Sequence, residues 1–159
     1  MESGKKSLEE LTTAGVFHVP EYQRYYSWTE PEWDDLWTDL YTLPPDKQHY
    51  FGTIIIQKTD ETESGGSTGG YGSSREKPIN LLIDGQQRLT SLALLVRSMT
   101  ECLEEIAPET DHEAEILDDV EEMRETLLVE DNIYQLQLLD EEDNKYLEWL
   151  LTGHDVHEP

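Results

Sequence analysis

The sequence is poor in cysteine, in positive charge and in long apolar runs, and each shortage excludes something. A single cysteine, Cys102, among 159 residues permits no intrachain disulfide and offers no cysteine spacing for a metal. A reducing, cytoplasmic compartment is the expectation. The longest uninterrupted apolar runs, Leu92 to Val96 and Ile54 to Ile56, fall far short of the roughly 20 residues that span a bilayer, so no membrane partner is expected. Met1-Glu2-Ser3-Gly4-Lys5-Lys6 leads into a polar stretch, and no secretory signal is read there. Only 11 basic residues stand against 36 acidic ones, giving a formal charge of −25 and a pI near 4.2. An average field of that sign repels nucleic acid and anionic membranes unless a local patch reverses it.

Enough apolar surface remains for a core. Four Trp, eight Tyr and two Phe supply large side chains, and the length suits one domain with an extension. The charge is unevenly spread: residues 1–100 carry a net −6, residues 101–159 a net −19. Either the acids line ordinary solvated helix faces or the whole surface is adapted to high salt. Six lysines against 36 acids favour salt adaptation. The expected organisation is a core over residues 1–108 and an acidic helical extension with one short strand over 109–159, continuing into a region beyond this chain.

Ser7 with Glu10 makes a capping-box pattern over a short helix that Gly15 ends. Val16 to Val19 reads as an extended run stopping at Pro20. Thr29 with Glu32 repeats the capping box, and Trp33, Leu36, Trp37, Leu40 and Tyr41 follow as one apolar helical stripe up to Pro44-Pro45. The β-branched run inside Tyr50 to Lys58 predicts a buried strand. Residues 59–77 hold five of the ten glycines and read as a flexible loop. Ile79 to Ile83 predicts the next strand, and a helix follows from Leu89 to about Ala107, stopped by Pro108. An acidic helix (Ile116, Val120, Met123, Leu127), a strand-like alternation (Tyr134, Leu136, Leu138) and a last helix (Tyr146, Leu147, Leu150, Leu151) closed by Gly153 complete the series.

The chemistry concentrates in Asp84-Gly85-Gln86-Gln87-Arg88 and the hydroxyls of Thr90 and Ser91. A glycine between a strand and a helix lets a ligand approach the backbone, and the first free N–H groups of the helix then face it. That is an anion site. Arg88 adds forked donors suited to phosphate, Gln86 and Gln87 can orient a water or contact a base or sugar, and Asp84 can hold Mg²⁺ or accept a proton. The bland alternative is that Asp84 caps the helix and Arg88 pairs with a carboxylate. A second cluster, Pro20 to Trp28, places Tyr22, Gln23 and Arg24 among aromatics that can stack a base or sugar. Its alternative is that Tyr22, Tyr26 and Trp28 are core and Arg24 ties down the loop. Only five arginines occur, and two stand in these clusters. The histidines show no metal spacing, with His154 and His157 in a frayed terminus, and Cys102 reads as a buried apolar side chain rather than a reactive thiol.

Four stretches in order, Val19-Pro20-x-Tyr22-Gln23-Arg24-x-Tyr26-x-Trp28, Leu36-Trp37-x-Asp39-Leu40, Tyr50-Phe51-Gly52-x-Ile54-Ile55 and Ile83 to Leu92, closely resemble the N-terminal domain of GmrSD-type modification-dependent restriction enzymes, a family marked by the Asp-Gly-Gln-Gln-Arg motif. The resemblance implies a small α/β domain of ParB and sulfiredoxin type: a mixed sheet with flanking helices and a helical C-terminal extension. It also implies binding and hydrolysis of a Mg²⁺-bound nucleoside triphosphate as control of an HNH-type nuclease domain or subunit that cuts modified DNA in phage defence. By carry-over, Asp84, Gly85, Gln86, Gln87 and Arg88 form the nucleotide motif, with Gln23 and Arg24 opposite. No His-Asn-His arrangement occurs, so DNA cleavage is not expected of these residues, and modified DNA is a partner only through a longer protein. Two rivals stand beside this expectation. One is a non-enzymatic sensor of modified DNA or a partner subunit. The other, a ParB-like nuclease, lacks a second carboxylate in the motif.

Overall fold

The computed structural model describes residues 4–64, 76–130 and 133–152. Five α-helices and six strands occur among them: α1 Leu8–Thr12, β1 Val16–Val19, α2 Glu30–Tyr41, β2 Ile55–Ser64, β3 Glu76–Asp84, α3 Gln86–Ile106, α4 Glu113–Leu127, β4 Val129–Glu130, β5 Ile133–Tyr134, β6 Leu136–Leu138 and α5 Glu141–Thr152. Four strands form one mixed sheet in the order β2-β3-β1-β6. β1 lies parallel to both its neighbours, Phe17 opposite Asn80 on one side and Leu136 on the other, while β2 and β3 form an antiparallel pair. β4 and β5 make a separate two-stranded ladder.

Strand alternation puts Phe17, Val19, Leu82 and Leu136 on one face. They join Leu89, Ala93 and Val96 of α3, Leu128, and Leu147 and Leu151 of α5 in one buried cluster. The acidic stretch 109–159 thus supplies an edge strand and part of this core. The expected small α/β architecture is what the chain adopts. No helix among the described residues is long and apolar enough to cross a membrane.

Both capping boxes close as the sequence predicts. The Ser7 N–H donates to Glu10 Oε2 (2.7 Å) and the Glu10 N–H to Ser7 Oγ (3.1 Å). Glu32 Oε2 accepts from both the N–H and the hydroxyl of Thr29 (2.7 and 2.8 Å), which holds its carboxyl below the usual range.

Several expectations need correction. Of the apolar stripe on α2 only Leu36 is buried; Trp37 and Tyr41 stack on each other with 50% and 78% of their surface exposed. Trp33 turns to Trp28 in an edge contact. The strand expected from Tyr50 begins at Ile55, because Gly52 takes φ +104° and the Thr53 carbonyl serves a side chain rather than a ladder. Strand structure also enters the expected loop 59–77 at both ends. Glu63 opposes Lys77 across the hairpin, Ser64 opposes Glu76, and the Thr59 hydroxyl donates to the Ile79 carbonyl (2.8 Å); cross-strand pairing outweighs the low local propensity. Cys102 is exposed, since it lies about 200° around α3 from buried Thr100. Gly153, expected to close α5, and both His154 and His157 lie outside the described residues.

Candidate functional site

β3 ends at Asp84 and α3 starts at Gln86, so the whole change of direction falls on Gly85, at φ 104° and ψ 5°. This left-handed conformation is one that a side chain disfavours. Space is tight as well: a Cβ there would lie 3.0 Å from Ile54 Cγ1, which would have to move aside. The first intrahelical bond runs from the Leu89 N–H to the Gly85 carbonyl (3.0 Å). No side chain caps this helix and no acid occupies its first turn. Asp84 is therefore not the cap, and the leading N–H groups have no side-chain acceptor among the described residues.

Three sequence stretches converge on this turn. From the first, Gln23 Nε2 donates to the Ile83 carbonyl (2.9 Å), and Tyr26 and Ser91 share a hydroxyl hydrogen bond of 2.8 Å. Gln87 reaches back from α3: its Nε2 donates to the Tyr25 carbonyl (3.1 Å) and its Oε1 accepts the Ser27 N–H (2.7 Å). From the second, Arg88 Nη1 donates to the Thr53 carbonyl (3.2 Å), and Gly52 lies so close that a Cβ there would stand 2.7 Å from Arg88 Nε. The third is the turn itself.

The expected site residues divide into two sets. Gln87 is 7% exposed with both amide atoms engaged, Ser91 is fully buried against Tyr26, and the Gln23 amide is spent on the strand end. Asp84 and Tyr22 are exposed, Gln86 is half-buried, and none of the three has a side-chain hydrogen bond among the described residues. Gly85 is buried within the turn. Thr90 is buried with its Oγ1 unpartnered. Tyr26 is held above the usual phenol range by burial, against which the hydrogen bonds with Ser91 and Trp33 act, so its hydroxyl is un-ionised at neutral pH. Thr53, Gly52 and the backbone of Ser27 were missed by sequence reasoning; the Tyr50-Phe51-Gly52 stretch was the available signal.

Charge pairing separates the arginines. Arg97 holds Glu101 at 2.6 Å, and Arg124 holds Glu104 through two bonds of 2.5 and 2.7 Å. Arg24 is exposed without a partner, and Arg88 has the Thr53 carbonyl but no carboxylate, among the described residues. The alternative of an ordinary ion pair at Arg88 therefore does not hold. Arg75 lies outside the described residues. A shallow concavity of about 530 Å³ lies along α3 at Arg97, Ser98, Glu101 and Cys102, two to three helical turns or more beyond Arg88 and apart from the turn. No group of three or more potential metal-ligating side chains occurs among the described residues.

A mixed four-stranded sheet with flanking helices, and a glycine turn leading from β3 into α3, defines a small α/β domain. The chain matches the family described as GmrSD restriction endonuclease, N-terminal domain, over residues 5–156. It belongs to that family and is a domain of a GmrSD-type restriction system. Curated proteins yielded no match to it.

Proposed function

We propose that this chain is the nucleoside triphosphate-binding and hydrolysing regulatory domain of its restriction system. The observation that carries the reading is that Arg88, in the first turn of a helix no side chain caps, and Arg24, in the loop bonded to that turn, have no carboxylate partner among the described residues, in a chain with 36 acids. Unpaired guanidinium groups in so acidic a molecule mark a place kept for an anionic ligand. The N–H groups at the start of α3 receive phosphate oxygens. Arg88, braced on the Thr53 carbonyl, neutralises phosphate charge from one side and Arg24 from the other. Tyr22 stacks the base or sugar, and Gln86, whose amide is uncommitted, orients the attacking water. Mg²⁺ arriving with the phosphates suits Asp84, a free carboxylate at the strand end, because that ion commonly takes one or two carboxylates beside phosphate oxygens. Ligand state then governs a separate HNH-type nuclease domain or subunit in the cytoplasm, and modified DNA engages the longer assembly.

Calorimetric titration of ATP, GTP, CTP and UTP with Mg²⁺ at high KCl tests this. At least one is expected to bind, with Arg88→Ala weakening it about tenfold or more. Absence of heat with all four nucleotides on a folded sample ends the reading. Tyr22 and Tyr25, 73% and 81% exposed on either side of Arg24, favour a second reading in which the loop stacks a base of modified DNA. Tight binding of a modified oligonucleotide without phosphate release decides for that one.

A further inference from the structure

Gln87 belongs to the motif that the sequence marks as chemical, yet both of its amide atoms are engaged by the loop and only 7% of the residue is exposed. Its Oε1 accepts from Ser27 N–H and its Nε2 donates to the Tyr25 carbonyl. Gln23, the residue before Arg24, is fixed to the Ile83 carbonyl. The residues on both sides of Arg24 are thus bonded to the two arms of the Gly85 turn, Gln23 through its side chain to the strand end, and the Tyr25 and Ser27 backbone through two bonds to Gln87 on the helix. Tyr26 adds a bond to Ser91 one helical turn further on. Arg24 itself is left exposed and has no partner among the described residues.

Resting on the triphosphate reading, we infer that Gln87 is a positioning residue that acts through Arg24. The side chain does not touch the ligand. It holds residues 25–27 against α3, so that the neighbouring guanidinium is carried on a loop already fixed at the turn and costs less to order when phosphate arrives. A flexible arginine on a solvated loop would lose that freedom on binding, and fixing the loop beforehand removes most of the loss. Ser27 offers only its backbone N–H and Tyr25 only its carbonyl, so the latch needs one donor and one acceptor on a single side chain. Among side chains of this length only glutamine supplies both without charge. Arg88 is braced separately, by Thr53 and Gly52, and is independent of the latch.

This predicts a pattern of coupling. With Mg²⁺ and whichever of ATP, GTP, CTP or UTP binds best, Gln87→Met is expected to weaken binding about tenfold in the parent, and less than twofold in an Arg24→Ala background. Against Arg88→Ala the same substitution stays fully additive. Loss of fold would strike both backgrounds alike, so this pattern separates positioning from general damage. Equal tenfold losses in all backgrounds would mean that Gln87 meets the ligand directly and would overturn the inference. Tyr26→Phe, which removes the bond to Ser91 at little change in volume, gives the same pattern more weakly and serves if Gln87→Met does not fold. Hydrogen exchange at the Ser27 amide reads the latch without any nucleotide: it is expected to quicken at least tenfold in Gln87→Met. Unchanged exchange there refutes the latch even where no triphosphate binds, whereas quickened exchange with no triphosphate bound leaves the latch in place and refutes the functional reading.

Discussion

Gly52 and Gly85 shape the site by what they leave out. Each has φ +104°, and a Cβ at Gly52 would displace the Arg88 side chain, whereas one at Gly85 would meet Ile54. Gly52→Ala is therefore expected to weaken triphosphate binding, because the Arg88 guanidinium must swing away, in addition to costing about 1–2 kcal/mol of stability from its left-handed backbone. Gly85→Ala is expected to cost about 1–2 kcal/mol in urea denaturation from the left-handed backbone alone. A Gly52→Ala protein that binds as the parent does would show that Arg88 reaches its ligand by another route. Asp84, Gly85 and Arg88 were legible in the sequence because strand, glycine and helix are neighbours there. The inward turn of Gln87 was not: its partners lie about 60 residues earlier, and nothing in a glutamine distinguishes an amide that faces water from one that fastens a loop.

The starts of α1 and α2 were legible because capping is local, whereas α3, which no side chain caps, begins three residues before the Leu89 expected, and helix faces were not legible. The stripe on α2 has the spacing of a buried face, yet burial also needs a neighbour, and α2 buries Leu36 alone. Tyr41→Ser is accordingly expected to change stability by less than about 0.5 kcal/mol, and Leu36→Ala by about 2 kcal/mol or more. Equal costs would place a cover over the outer face. α3 and α4 are joined by the forked pair of Arg124 and Glu104, and that hydrogen bonding holds the Glu104 carboxyl below its usual range. A depressed folded value means stability present above the ordinary carboxylate pKa and lost as pH falls through the lower one. Arg124→Met is expected to cost about 0.5–1 kcal/mol at pH 7, both side chains being a third or more exposed. That difference is expected to fade below about pH 4; urea titrations across pH 3 to 7 measure it.

At the scale of the molecule the charge of −25 dominates behaviour in solution. Self-repulsion opposes compactness, and salt that shortens the screening length relieves it. Raising KCl from about 0.1 M to about 2 M is expected to raise the melting temperature by about 5 °C or more; a flat or falling melting curve would argue against salt adaptation. The acidity was visible in composition, but its place in the architecture was not. Residues 101–159 carry most of the charge and also deliver β6, Leu128, Leu147 and Leu151 to the core. β1 is an interior strand whose second neighbour, β6, is synthesised roughly 120 residues after it. A ribosome must therefore have released residues 136–138 before Phe17 can have strands on both sides. Until then the nascent chain holds a half-made sheet open, and this small domain completes its fold only near the end of that stretch of translation.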